Sequence, residues 1–202
     1  MKEGIAHEFT ARVAGVYVGG KQGTLETQLV EKAYATWNGF MGDSHAGRTR
    51  FADAREYKKI FPRDCEILNL RQWSGVSLEQ LRVLTGKLTG QRGTLLAEWL
   101  GANLLFEGIQ DFSALPAGTQ LVFDPWAVLV VTAENGPCVN PGKLIQQHLP
   151  DFPGIAANFV KEAMGLRGVV GLVKRPGVIR MGSDVTVLVP KQRIWPYNGE
   201  VL

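Results

Sequence analysis

The chain has 202 residues and a formal charge of +3, from 22 Lys and Arg against 19 Asp and Glu. That excess is too small for nucleic-acid affinity built on phosphate neutralisation. Hydrophobic residues make up 45% and charged residues 20%, a balance that excludes a disordered chain, while the 24 glycines point to a folded, turn-rich protein.

The first residues mix Glu3, Glu8 and Arg12 with a short, glycine-broken apolar run, a poor secretory signal. The first strand signal is 13–18 (VAGVYV), and the second is 65–70 (CEILNL). Ser77-Leu78-Glu79-Gln80 has the capping-box pattern and opens a helix with Leu78, Leu81 and Leu84 at helical spacing. The segment 94–100 (TLLAEWL) reads as a short helix ended by Gly101. Strands follow at 119–123 and 127–133, rich in β-branched residues and bounded by turn formers. Asn140-Pro141 reads as an N-cap with proline at the first helical position. A second apolar-striped helix spans 152–164 and stops at Gly165.

The remaining strands are 168–173 and 185–190. Residues 175–189 read as a hairpin with its turn at Gly182-Ser183-Asp184, and with Ile179 and Met181 on one side. The sum is a mainly β protein, a closed, twisted β barrel with a few flanking helices, as a single domain over 1–202. Trp37, Trp73, Trp99, Trp126 and Trp195 are scattered, which suits packing and not a base-stacking platform. The longest apolar run, starting at Trp126, falls far short of the ~18 residues a membrane helix needs. The two cysteines, Cys65 and Cys138, form neither a disulfide framework nor a zinc motif. The expected compartment is the cytoplasm, with no membrane and no nucleic-acid partner.

Three stretches carry candidate chemistry. In Thr132-Ala133-Glu134-Asn135-Gly136-Pro137-Cys138 a strand ends and prolines hold a cysteine ahead of a helix. The positive end of that helix would stabilise a thiolate, with Lys143 adding to it if it turns back; the alternative is a small buried hydrophobe. In Gly42-Asp43-Ser44-His45-Ala46-Gly47-Arg48 two glycines let backbone approach a ligand, and His45, Arg48 and Arg50 can donate to an anion. The alternative there is a tight loop in which Asp43 pairs with an arginine. Asn103, in Gly101-Ala102-Asn103-Leu104, follows a helix and reads as either a cap or a site residue. No acyl-hydrolase, Walker or dinucleotide fingerprint occurs.

In this order the stretches GFMGDSHAGR, NLRQW, GANLLFEGI with LPAGTQLVF, TAENGPC and RPGVIRMGSDVTVLV resemble the MOSC domain. That module occurs at the C-terminus of molybdenum cofactor sulfurases and as stand-alone bacterial proteins. The resemblance runs over about 39–189. It implies a β barrel and a central cysteine, here Cys138, that either carries a persulfide or ligates molybdenum in bound molybdopterin. It further implies that Asp43, His45, Arg48, Asn103, Asn135 and Arg167 surround the anionic cofactor.

The family has an acidic residue before the Asn-Leu pair, where this chain has Ala102; Glu98 is the candidate substitute. Only about 38 residues precede the matched region. The expectation is therefore neither a pyridoxal-phosphate desulfurase domain nor the N-terminal partner domain of amidoxime reductases, and no use of pyridoxal phosphate by this domain alone. The implied function is binding of the molybdenum cofactor or sulfur carriage on Cys138, with reduction of N-hydroxylated compounds as the enzymatic version. The implied partner is a cysteine desulfurase as sulfur donor, or an electron-transfer protein. The alternatives are a non-catalytic β-barrel module for an anionic small molecule or a partner protein, and a thiol-dependent transferase with His45 as base.

Overall fold

The computed structural model describes residues 4–19, 23–53, 56 and 60–192; Trp195 lies outside them. The strands are β1 (Ile5–Gly19), β2 (Thr27–Val30), β3 (Lys32–Thr36), β4 (Gly39–Phe40), β5 (Thr49–Phe51), β6 (Glu66–Leu68) and β7 (Trp73–Ser77). After helix α1 (Leu78–Thr89) come β8 (Leu104–Glu107), β9 (Gln120–Phe123), β10 (Ala127–Glu134), α2 (Val139–His148) and α3 (Ile155–Glu162). The last strands are β11 (Val169–Arg175), β12 (Gly177–Arg180) and β13 (Asp184–Pro190).

Seven strands close a barrel in the order β13-β9-β10-β11-β7-β8-β1, with β1 pairing back onto β13 and β2 added outside β1. All barrel pairs are antiparallel except β7 with β8. The parallel pair needs a crossover, which α1 and the 3-10 turn Ala97–Leu100 supply. Alternation fills the barrel: Val13, Trp73, Phe106, Leu121, Phe123, Leu129, Val185 and Val187 point inward and are buried. The Trp73 ring donates its Nε1–H to Leu172 O at 3.1 Å. A second core, with Leu84, Leu100, Leu105, Ile145, Ile155 and Phe159, lies between the barrel wall and the helices. No helix among the described residues is long and apolar enough to cross a membrane.

Several local expectations change. The hairpin over 175–189 does not form: β12 pairs with β3, whereas β13 pairs with β1 and β9. The turn between them is pinned by β1, with Gly182 N donating to Val13 O and Val13 N to Ser183 O. The chain there passes from a small three-stranded sheet into the barrel, so Ile179 is buried while Met181 is exposed. The strand at 65–70 shrinks to β6, and the helix at 94–100 is one 3-10 turn closed by Gly101. Ser77 does cap α1, accepting from Gln80 N at 3.2 Å. The Gln80 side chain does not complete the box; its Oε1 accepts from Ser113 N and Oγ, which ties α1 to the 112–114 turn.

Candidate functional site

Strand β10 ends at Glu134, and Asn135-Gly136-Pro137 carry the chain to Cys138. Cys138, not Asn140, is the N-cap of α2, in extended conformation (φ −132°, ψ 172°) and exposed. The first N–H groups of α2 lack intrahelical acceptors, so the sulfur sits at the positive end of the helix. Lys143 is exposed and does not line the pocket around the sulfur.

That pocket holds about 240 Å³ and is lined by Cys138, Asn135, Arg167, Arg71, His45 and Leu25, among others. Arg167 precedes Gly168, whose φ is +78° and where a Cβ would lie 1.9 Å from Gly75 O, so only glycine lets the chain bring Arg167 under the pocket floor. The guanidinium is buried, and its Nη2 donates to Leu100 O. Its Nη1 has no hydrogen-bond partner among the described residues. Burial lowers the Arg167 pKa to about 10; Cys138 opposes the fall and Arg71 adds to it. Arg71 Nη2 donates to Asn135 Oδ1 at 2.7 Å, and Asn135 N to Gly168 O at 2.9 Å. Two guanidiniums thus converge beside one cysteine, an arrangement that suits an anion with several acceptor oxygens.

The third wall is the 43–47 loop. Asp43 has a fully buried side chain, and its Oδ1 takes the backbone N–H of His45 at 2.8 Å and ring Nδ1 at 3.1 Å. Its Oδ2 accepts from Asn103 Nδ2 at 2.7 Å, while Asn103 Oδ1 takes Ser74 N at 2.9 Å. Burial pushes the Asp43 carboxyl up, but the hydrogen bonds and charge of His45, with that of Asn103, outweigh it and hold it below its ordinary value. An ionised carboxylate only accepts, so Nδ1 carries the proton and Nε2 is left for the pocket. Asn69 pins the loop from below: its Nδ2 donates to His45 O and Gly47 O, and its Oδ1 takes Arg71 N.

A second pocket of about 410 Å³, bounded by Thr49, Phe51 and Glu66, shares His45 and Arg71 with the first. Of the residues expected at the site, Cys138, His45, Asn135 and Arg167 line one pocket, and Asp43 and Asn103 stand behind His45. Arg48 is not brought in: it is exposed and lines neither pocket, and its backbone carbonyl accepts from Asn69 N. Arg50 pairs with Glu56 instead of facing an anion. Among the described residues Asp43 pairs with no arginine; its Oδ1 meets His45 Nδ1 instead. Glu98 is no substitute for the missing acid before Asn103: it interacts with Glu26 and His148, and Asp43 is the carboxylate that reaches Asn103. Arg71 and Asn69 are the site residues that sequence reasoning missed, although both lie in the quoted NLRQW stretch. Cys65 is half-buried, outside the site, with its Sγ 3.6 Å from Glu66 O.

Residues 62–186 match the family model of the MOSC domain. Over 178 residues, 88% of this chain and 90% of the relative, the sequence is 38% identical to YuaD of Bacillus subtilis (strain 168), whose name assigns it to metal-sulfur cluster biosynthesis. The YuaD crystal structure superposes with a TM-score of 0.86 at 37% identity, covering 92% of this chain and 99% of YuaD. YiiM of Geobacillus stearothermophilus shares the fold at TM-score 0.59 and 15% identity, over 89% of this chain and 75% of its own. With a closed barrel, an exposed loop cysteine and a model match over most of its length, the chain belongs to the MOSC domain family.

Proposed function

We propose that the pocket at Cys138 binds the molybdenum cofactor, with the Cys138 sulfur as a ligand to the metal and Arg167 and Arg71 holding anionic oxygens. The observation that carries this reading is the buried Arg167 Nη1, a charged donor without a hydrogen-bond partner among the described residues, on a side chain that lines the same pocket as the sulfur. A buried guanidinium is costly unless an acceptor arrives. The donor set fits the group: a soft sulfur ligand suits molybdenum bound through sulfur, and two planar forks suit phosphate or oxo groups. The bound group would supply a metal able to change oxidation state.

The chain's own residues would bind, orient and move protons around it. Asn135 fixes the Arg71 guanidinium at 2.7 Å. Asp43 fixes the His45 ring, leaving Nε2 to donate or accept a proton at the pocket wall. Asn103 aligns Asp43 in turn. The neighbouring pocket of about 410 Å³ gives a substrate access past His45; N-hydroxylated compounds are the substrate class, with an electron-transfer protein as partner.

A second reading is sulfur carriage as a persulfide on Cys138, with a cysteine desulfurase as donor. It is favoured by the exposure of Cys138 and by the name that YuaD carries, since thiol exchange needs an accessible sulfur. Protein purified from a host that makes molybdopterin separates the readings. Molybdenum and pterin in equal amount with the chain support cofactor binding. A mass gain of one sulfur atom on the Cys138 peptide, without metal, supports the carrier. A bare thiol with neither sinks both.

A further inference from the structure

The far end of α2 carries a cluster of ionisable side chains outside the pocket. His148, the last residue of α2, stacks on Trp99 with ring centroids 4.5 Å apart and 7° between planes. Its Nε2 lies 3.0 Å from Glu26 Oε1. Glu26 belongs to a short strap, residues 24–26, that leads into β2 and is itself turned by a hydrogen bond from Glu26 N to Thr24 Oγ1 at 2.8 Å. Between those two residues, Leu25 forms part of the wall of the Cys138 pocket. It packs on Gly101, φ +65°, where a Cβ would meet Leu25 Cδ1 at 2.7 Å.

The cluster is balanced between attraction and repulsion. Glu98, beside Trp99, has its pKa raised by burial and by Glu26, and lowered by His148. Behind it the Tyr17 hydroxyl is pushed up to about 12 by burial and by Glu98. His148 therefore acts on two carboxylates, Glu26 of the strap at 3.0 Å and Glu98 of the 97–100 turn. That turn also supplies Leu100, which with Gly101 lines the pocket. Strap, turn and α2 meet at this one ring, and each contributes a wall around Cys138.

We infer that His148 is a positioning residue: a latch that holds the strap bearing Leu25 against the 97–100 turn and so narrows the pocket beside the exposed Cys138. With the ring in place, its N–H or its charge tethers Glu26 and offsets the repulsion between Glu26 and Glu98. Without it, the two carboxylates push the strap away from the 97–100 turn. The latch works for whatever anion the pocket binds, so it does not depend on the cofactor reading.

The test is the labelling rate of Cys138 in the full chain by a bulky fluorescent maleimide, compared with iodoacetamide and read by peptide mass mapping. His148→Gln should speed the bulky reagent roughly two- to fivefold, the range an exposed ion pair commands, and iodoacetamide less. Glu98→Gln removes the repulsion but keeps the tether, and should label no faster than the original chain. His148→Lys offers Glu26 a cation at the same position and should restore the original rate. Cys65 is the internal control: if its labelling rises in step with that of Cys138, the substitution has loosened the whole fold and the latch is rejected. Unchanged maleimide rates in His148→Gln, or acceleration by Glu98→Gln equal to that by His148→Gln, would also overturn it.

Discussion

Replacing Arg167 with Met distinguishes a guanidinium that belongs to the scaffold from one that waits for an anion. The Arg167 residue is 6% exposed, makes one hydrogen bond to Leu100 O, and keeps Nη1 unpartnered among the described residues. Its pKa falls from 12.5 to about 10 on burial, so carrying the charge in the folded chain costs about 3 kcal/mol relative to water. Removing the side chain forfeits the Leu100 bond, worth about 1.5–3 kcal/mol for a charged donor, while Met keeps most of the apolar stem packing. The ligand-free variant should therefore be between unchanged and about 1.5 kcal/mol more stable, a rise in unfolding temperature of up to ~5 °C for a chain of this size.

The pH dependence has a definite sign. The folded value lies below the unfolded one, so the penalty is full below about pH 10 and is relieved as pH rises from about 10 towards 12.5. Variant and original should converge there. Thermal unfolding with and without molybdate or phosphate completes the assay. An anion at a hundred times its dissociation constant stabilises by ~2.7 kcal/mol, an effect expected for the original chain and absent in Arg167→Met. A ligand-free variant that loses 3 kcal/mol or more, the cost of breaking a buried structural pair at roughly 3–5 kcal/mol, would refute the reasoning. So would equal stabilisation of both proteins by the anion.

Three further outcomes follow from the same geometry. Arg71→Ala should weaken molybdate or phosphate binding about tenfold or more, the worth of a charged hydrogen bond, whereas Arg48→Ala, at an exposed position outside both pockets, should change it little; titration calorimetry reads both. Brief iodoacetamide treatment of cofactor-free protein should alkylate the exposed Cys138 well before the half-buried Cys65, and labelling of Cys65 first would remove Cys138 from its role. Asp43 is held below its ordinary carboxyl value by His45 and Asn103 against the opposing pull of burial. Its contribution is therefore present above about pH 4 and lost as pH falls through the folded value. Asp43→Asn should cost about 1–3 kcal/mol at neutral pH, with the difference shrinking in acid unfolding.

The barrel was legible where its strands are buried runs of β-branched residues: β9, β10, β11 and β13 fall almost on the segments 119–123, 127–133, 168–173 and 185–190. It was less legible where a strand has a wet face. Half of β1 is hidden because Glu8, Thr10 and Arg12 alternate outward, and β3 (KAYAT) forms through pairing with distant β12, with the two-residue β4 added on its other edge. The arms at 177–180 and 184–190 alternate as a hairpin would, yet alternation records only that each has one buried face, not which strand lies beside it.

At the site, Asn140-Pro141 put the helix start two residues late because a proline in the first turn costs no hydrogen bond wherever in that turn it stands. Cys138, Asp43, His45 and Asn103 stand out from their loops as candidates in the sequence itself, whereas Asn135 and Arg167 enter only through the family resemblance. Arg71 does neither, since an arginine in a polar stretch looks like surface until Asn135 is seen to hold it. Arg48 lines neither pocket: a glycine-flanked loop offers several cations, and the sequence does not say which way each one points.

X-ray absorption at the molybdenum edge, on protein purified from a molybdopterin-producing host, tests the central claim most directly. The account predicts metal bound in the original chain with one more sulfur neighbour than in Cys138→Ser, whose Arg167 and Arg71 still hold the anionic group. Identical sulfur coordination in the two proteins, or molybdenum absent from both, would contradict it.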